Sequence, residues 1–185
     1  LWMILTSFKS VPETTLVPPT FFPESFQNTA AYIQVTNSLP FLKLYYNTLM
    51  MIFIRVVCAV VFSSMAAYAF AKVHFPMKNL CFALVVSQLM FPAQVFILPQ
   101  YEMISAIGRT DSIFALVFPG LVSAFGTFFL RQTYMGIPDD LIEAARIDGC
   151  GQFRTFVSIA FPLTKTAIAA LAVFTALFAL SLIHI

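Results

Sequence analysis

The chain has 185 residues, 60% of them hydrophobic and only 10% charged, whereas a soluble domain carries about 25% charged residues. Its formal net charge of +2 is too small for a nucleic-acid-binding surface, and its mean hydropathy is +0.90. These values exclude a soluble globular domain and predict an all-α, polytopic transmembrane helix bundle forming a single domain.

The chain opens with an apolar stub, Leu1–Phe8, that is far short of the roughly 20 residues needed to cross a bilayer. It reads as the end of a span whose beginning is missing. Lys9 to Lys43 is a polar connection holding Pro12, Pro18, Pro19, Pro23 and Pro40, a density that forbids a continuous helix. A solvated loop is the expectation, with room for a short helix between Ser25 and Ser38 that carries Phe26, Ala30 and Ile33 on one side.

The next span covers about residues 46–71 and ends in Ala66-Ala67-Tyr68-Ala69-Phe70-Ala71-Lys72, where small residues allow close helix contact. Arg55 interrupts it. An arginine at the bilayer centre costs roughly 2.5–3.5 kcal/mol on insertion scales, so Arg55 either reaches the near interface or faces a watery path or solute. A tight basic link, Lys72 to Lys78 with His74 and Pro76, leads to a span over about 79–101. Pro92 and Pro99 are expected to bend its second half. Gln88 and Gln94 lie within it, either bonding a neighbouring helix or lining the pathway. A further span covers about 112–131, with Pro119-Gly120 inviting a break, and Arg131 closes it. The last legible span covers about 161–182, with Lys165 near its start. The chain then stops inside an apolar run, so both ends read as truncated.

Within a loop over residues 132–160, Ile137–Gly149 is a short polar island with apolar runs on both sides. Pro138 suits a first helical turn, Asp139 and Asp140 suit the positive end of a helix dipole, and Gly149 suits a left-handed stop. The stretch predicts a helix of about three turns. Leu141, Ala144, Ala145 and Asp148 share one face by helical spacing, made shallow by the two alanines. Glu143 and Arg146 can pair at i, i+3.

Spans alternate sides. The side bearing this island holds Lys72, Lys78, Arg131, Arg146, Arg154 and Lys165, and the other side holds Lys9, Lys43 and Arg109. The excess of Lys and Arg marks the first side as cytoplasmic. No catalytic constellation is legible. There is no phosphate-binding G-x-x-x-x-G-K-[ST] loop, no H-E-x-x-H and no G-x-S-x-G. The three cysteines, Cys58, Cys81 and Cys150, are far apart and lack metal-ligand spacing. No acidic residue sits in mid-span to relay protons. Mechanical coupling to another polypeptide is what remains.

One longer pattern stands out. Glu143-Ala144-Ala145, three residues, Gly149, nine residues, Ile159, one residue and Phe161-Pro162 resembles the EAA loop of ABC importer permeases, E-A-A-x3-G-x9-I-x-L-P. Phe161 replaces the usual Leu, Cys150 stands where Ala is common, and Thr166 stands where a second Pro often follows. Weaker likeness in Asn47-Thr48-Leu49, Ala66–Lys72, Pro99-Gln100-Tyr101, Phe129–Gln132 and Ile137-Pro138 is similar to the carbohydrate branch, the shorter six-span subunit of maltose-type permeases. The likeness extends from Leu1 to about Leu177. Beyond it, the Trp-Asn turn of the family is missing.

The resemblance implies a multi-pass permease in a bacterial or archaeal cytoplasmic membrane. Its partners would be a second permease subunit, a cytoplasmic ABC ATPase dimer, an extracytoplasmic solute-binding protein and membrane lipid, with no nucleic acid. ATP would be bound by the ATPase, so this chain needs no cofactor or metal and is not itself an enzyme. Leu141, Glu143, Ala144, Ala145, Asp148 and Gly149 would contact the ATPase or shape that contact. Arg55, Gln88 and Gln94 are the candidates for the solute pathway. The implied cargo is a sugar or oligosaccharide. A non-sugar solute such as glycerol phosphate is the alternative, followed by a stand-alone secondary transporter and then an intramembrane enzyme.

Overall fold

A computed structural model describes residues 1–181. Every regular element among them is helical. The chain divides into two compact units, residues 1–47 and residues from Thr48 onward.

In the first unit, α1 (Trp2–Ser7), α2 (Val11–Thr14) and α3 (Ala30–Ser38) are joined by irregular backbone. The proline-bearing stretch is pinned at two points. Lys9 is buried, donates to the Thr20 carbonyl and Oγ1, and sits 5.0 Å from the Trp2 ring centroid. The buried Glu13 carboxylate accepts the backbone N–H groups of Glu24 at 2.7 Å and Ser10 at 3.1 Å. Those two hydrogen bonds hold its carboxyl below the usual carboxylate range. Tyr32 of α3 shares a 2.6 Å hydrogen bond with Ser7 and packs beside Phe8. Apart from these anchors the stretch is almost wholly exposed and irregular from Thr15 to Thr29, as expected of a solvated loop, and α3 falls within the expected Ser25–Ser38.

The dominant element is α4 (Phe41–Lys72), whose 32 residues extend about 48 Å at 1.5 Å per residue. Among the described residues it is the one unbroken helix long and apolar enough to cross a membrane. Three bent helix pairs also qualify if each is taken as one span. The first pair joins α5 (Lys78–Ser87) and its 3₁₀ extension Gln88–Met90 to a 3₁₀ turn, Ala93–Phe96, and α6 (Ile97–Ala106), with a 101° bend. Pro92 causes this break. It has no N–H, and it forces Phe91 into an extended conformation with ψ 135°. Pro99 lies in the first turn of α6, where a proline is tolerated.

The second pair joins α7 (Ile113–Val117) and the 3₁₀ turn Phe118–Gly120 to α8 (Ala124–Met135), bent by 43° just past Pro119-Gly120. After α9 (Asp139–Ile147) comes the third pair. There α10 (Gln152–Thr155) runs through a π-helical turn, Phe156–Ala160, into α11 (Phe161–Leu163) and bends by 80° into α12 (Lys165–Ser181). The sequence reading starts a span at Phe161. The helix instead starts at Gln152 and changes direction at Thr164, since Pro162 deprives the turn before it of a hydrogen bond.

Small residues bring α4 and α8 together. Ser63 and Ser64 are fully buried in α4. Ser63 Oγ donates to the Ser123 carbonyl at 3.2 Å and accepts from the Ser123 N–H at 3.3 Å. A Cβ on Gly126 would lie 2.9 Å from Ser63 Oγ and 3.1 Å from the Leu171 methyl carbons. The main core joins the last third of α4 to α8, α9, the π turn and α12 through Ala67, Tyr68, Leu130, Tyr134, Ile142, Phe156, Ala160 and Leu171. A smaller cluster of Met51, Val117 and Ala179 lies elsewhere in this unit.

Candidate functional site

The polar island folds as α9, nine residues long. Pro138 is not inside the first turn but immediately before it, with φ −56° and ψ 135°, turning the chain out of α8. Asp139 and Asp140 occupy the first turn and Arg146 the last, each matched to the dipole. At the far end Gly149 adopts φ +80°. Its N–H donates to the Arg146 carbonyl at 3.0 Å, and the Cys150 N–H donates to the Ala145 carbonyl at 2.9 Å. This is a Schellman closure, which requires a left-handed residue at Gly149.

The inner face of α9 is Ile142 and Ala145, 3% and 4% exposed. Ile142 belongs to the core with Tyr134 and Phe156. Leu141, Glu143, Ala144 and Asp148 are exposed, as are Asp140 and Arg146. The face expected from spacing is thus corrected at one position. Ala145 is turned toward its own bundle, and its small side chain lets α9 lie close to the core. Ile147, 87% exposed at the helix end, is an outward apolar residue that the spacing argument missed. Glu143 and Arg146 do not pair; the ion pair found among the described residues is between Lys72 and Asp139.

That pair organises the site. Lys72, the last residue of α4, is buried, and its ammonium donates to the Ile137 carbonyl at 2.6 Å and to Asp139 Oδ1 at 2.6 Å. The lysine thereby links the end of the longest helix to the first turn of α9. The Lys72 hydrogen bond, then its charge, hold the Asp139 carboxyl below the usual carboxylate range. Beneath α9, Tyr68, Tyr134 and Phe156 form an aromatic cluster, with centroids 5.8 Å apart for the two tyrosines and 5.2 Å for Tyr68 and Phe156. Tyr134 Oη donates to Ser64 Oγ at 3.4 Å. Sequence reasoning missed Lys72, Tyr68, Tyr134 and Phe156 as parts of this site. The partners of Lys72 are 65 and 67 residues away, so no local pattern reveals them.

The pathway candidates do not converge. Arg55 lies about 21 Å from the start of α4 and about 26 Å from its end. It is turned into the bundle instead of reaching out to an interface. It is 9% exposed, donates from Nη1 to the Leu116 carbonyl at 3.1 Å, and lies 5.9 Å from the Phe178 ring centroid. Gly120 makes room for it, since a Cβ there would come within 2.3 Å of the guanidinium. Gln88 and Gln94 flank the Phe91-Pro92 break and are both exposed. Neither bonds a neighbouring helix among the described residues.

Comparison with known proteins shows the family. A family model described as binding-protein-dependent transport system inner membrane component matches residues 30–183, past the Leu177 limit of the motif likeness. The chain is 40% identical over 161 residues to the sn-glycerol-3-phosphate transport system permease protein UgpE of Escherichia coli (strain K12). The same protein from Shigella flexneri serotype 5b (strain 8401) and from Shigella dysenteriae serotype 1 (strain Sd197) gives the same identity over the same length. Each alignment covers 87% of this chain and 57% of the relative, so the chain spans a little over half the length of the curated relatives it matches.

Proposed function

Because the chain belongs to the family of binding-protein-dependent transport system inner membrane components, we propose that it forms one half of a solute pathway in an ABC importer and that α9 is its coupling helix. The observation that carries the coupling role is the Lys72 link. A cytosolic ATPase pressing on α9 would move the end of α4 with it, through an ammonium that holds both the Ile137 carbonyl and Asp139. Leu141, Ala144 and Ile147 offer the ATPase apolar contact, and Glu143 and Asp148 offer it charge. Ala145 and Gly149 act indirectly, by seating and ending the helix. A second permease subunit completes the pathway, and an extracytoplasmic binding protein delivers the solute.

For the cargo, the names of the relatives favour a phosphorylated polyol, sn-glycerol 3-phosphate, over a sugar or oligosaccharide. The motif likeness to the carbohydrate branch supports the sugar reading. Uptake of labelled sn-glycerol 3-phosphate and of maltose into vesicles holding the assembled transporter separates them. The coupling reading is tested by co-purification with a P-loop ATPase. Glu143→Lys is expected to lower ATPase association and ATP-driven uptake together. Unchanged association and uptake would overturn the assignment of α9.

A further inference from the structure

Where α4 ends, α5 begins and α8 ends, the surface opens into a groove of about 570 Å³. Its polar lining includes Lys78, Arg131, His74 and Asn79. It is a basic site without acids of its own, because the ion pair found among the described residues joins Asp139 to Lys72 and leaves Lys78 and Arg131 without a carboxylate. Both are held in place by backbone. Lys78 Nζ donates to the Val73 carbonyl at 2.9 Å and the Ala71 carbonyl at 3.2 Å, which leaves one of its three protons. Arg131 donates from Nε to the Phe70 carbonyl at 3.2 Å, and its guanidinium carbon lies 4.1 Å from the Phe82 ring centroid. Its two terminal nitrogens bond nothing among the described residues. A planar donor fork fixed this way suits two oxygens of one phosphate.

The groove is also bordered by apolar surface. Met77, Leu80 and Met135 on its rim are 67%, 51% and 51% exposed. Leu84, one turn beyond Leu80 on α5, is 65% exposed and continues the stripe along the helix. Met77 holds φ +59°, a conformation that non-glycine residues rarely adopt, where the chain enters α5.

We propose that this groove binds the phosphodiester headgroup of an anionic phospholipid, with Arg131 and Lys78 on the phosphate and the acyl chains along Leu80 and Leu84. A free phosphate shares the charged half of this chemistry. The continuous apolar stripe, and a location at the ends of apolar helices on the side rich in Lys and Arg, favour the lipid.

The test uses the assembled transporter, purified in mild detergent and placed in nanodiscs of either phosphatidylglycerol or phosphatidylcholine. Native mass spectrometry is expected to find phosphatidylglycerol retained in preference to phosphatidylcholine. Photoactivatable phosphatidylglycerol is expected to label peptides spanning 71–80 and 131–135 in the unaltered protein. Arg131→Gln and Lys78→Gln are each expected to weaken retention about fivefold, while Lys165→Gln, exposed and outside the groove, leaves it intact. Equal retention of phosphatidylcholine would overturn the proposal. So would displacement of the label by inorganic phosphate alone, or cross-linking of the groove to a partner polypeptide instead of lipid.

Discussion

Lys72 does more than any other single side chain to position α9. Removing its ammonium leaves the Ile137 carbonyl unpaired in a buried setting, and hydrogen bonds to charged groups contribute about 1.5–3 kcal/mol. Lys72→Met is expected to lower thermal stability by about that amount in detergent and to raise amide exchange across residues 137–141. The Asp139 half of the link is sensitive to acid. Its folded carboxyl lies below the ordinary range, so its contribution is complete above the unfolded value of about 4. That contribution is lost as pH falls through the folded value. Protection of the α9 amides, corrected for the intrinsic exchange rate, should therefore fall as pH drops below about 4, and Asp139→Asn should lessen that pH dependence. At the other end, Gly149→Ala places a side chain at φ +80° with no neighbour within 4 Å, so its cost is backbone strain alone, roughly 1–2 kcal/mol. Gly149→Asn should recover much of it. Thermal unfolding of both variants checks this.

Among the elements, α4 meets the start of α8 where Gly126 leaves no room for a side chain. A methyl on Gly126 meets Ser63 Oγ at 2.9 Å, and overpacking of that kind costs about 1–3 kcal/mol. Gly126→Ala is expected to destabilise by that much, measured by unfolding in detergent, with Ser63→Gly restoring part of the loss. The broken α7 depends on a different accommodation. Arg55 donates to the Leu116 carbonyl across the space that Gly120 leaves open. Gly120→Ala and Arg55→Met should each lower stability, and the double variant should lose less than their sum because both remove one interaction.

The helical class, the Pro92 bend, the Pro119-Gly120 break and the Gly149 end of α9 were legible in the sequence. Each depends on proline lacking an N–H, on glycine reaching positive φ, or on apolar composition, and all of these are local properties. What was not legible depends on contacts between distant residues. The inward turn of Ala145 is decided by Tyr134 and Phe156. The anchoring of the 9–43 stretch is decided by where Lys9 and Glu13 find partners. The Lys72 link joins residues that no short-range pattern connects. Nor did spacing distinguish an arginine turned into the bundle from one reaching outward.

For the whole molecule, the Lys and Arg counts lead us to propose that α9 faces the cytoplasm. A cysteine at Ile147, 87% exposed, should react with an impermeant maleimide in inside-out vesicles and not in intact cells. The reverse result would place this loop outside and remove the coupling role.

The two ends of α9 are anchored differently. One is secured by a lysine ammonium from another helix, and the other by a covalent turn that leads through α10 and its π segment. A load on the outer face would therefore reach the foot of α4 through a stiff ionic joint. Along the chain toward α12 the same load would pass an under-wound π turn and the 80° elbow at Thr164. If α9 bears the proposed load, its leverage would be lopsided, with α4 the firm arm and α12 the yielding one.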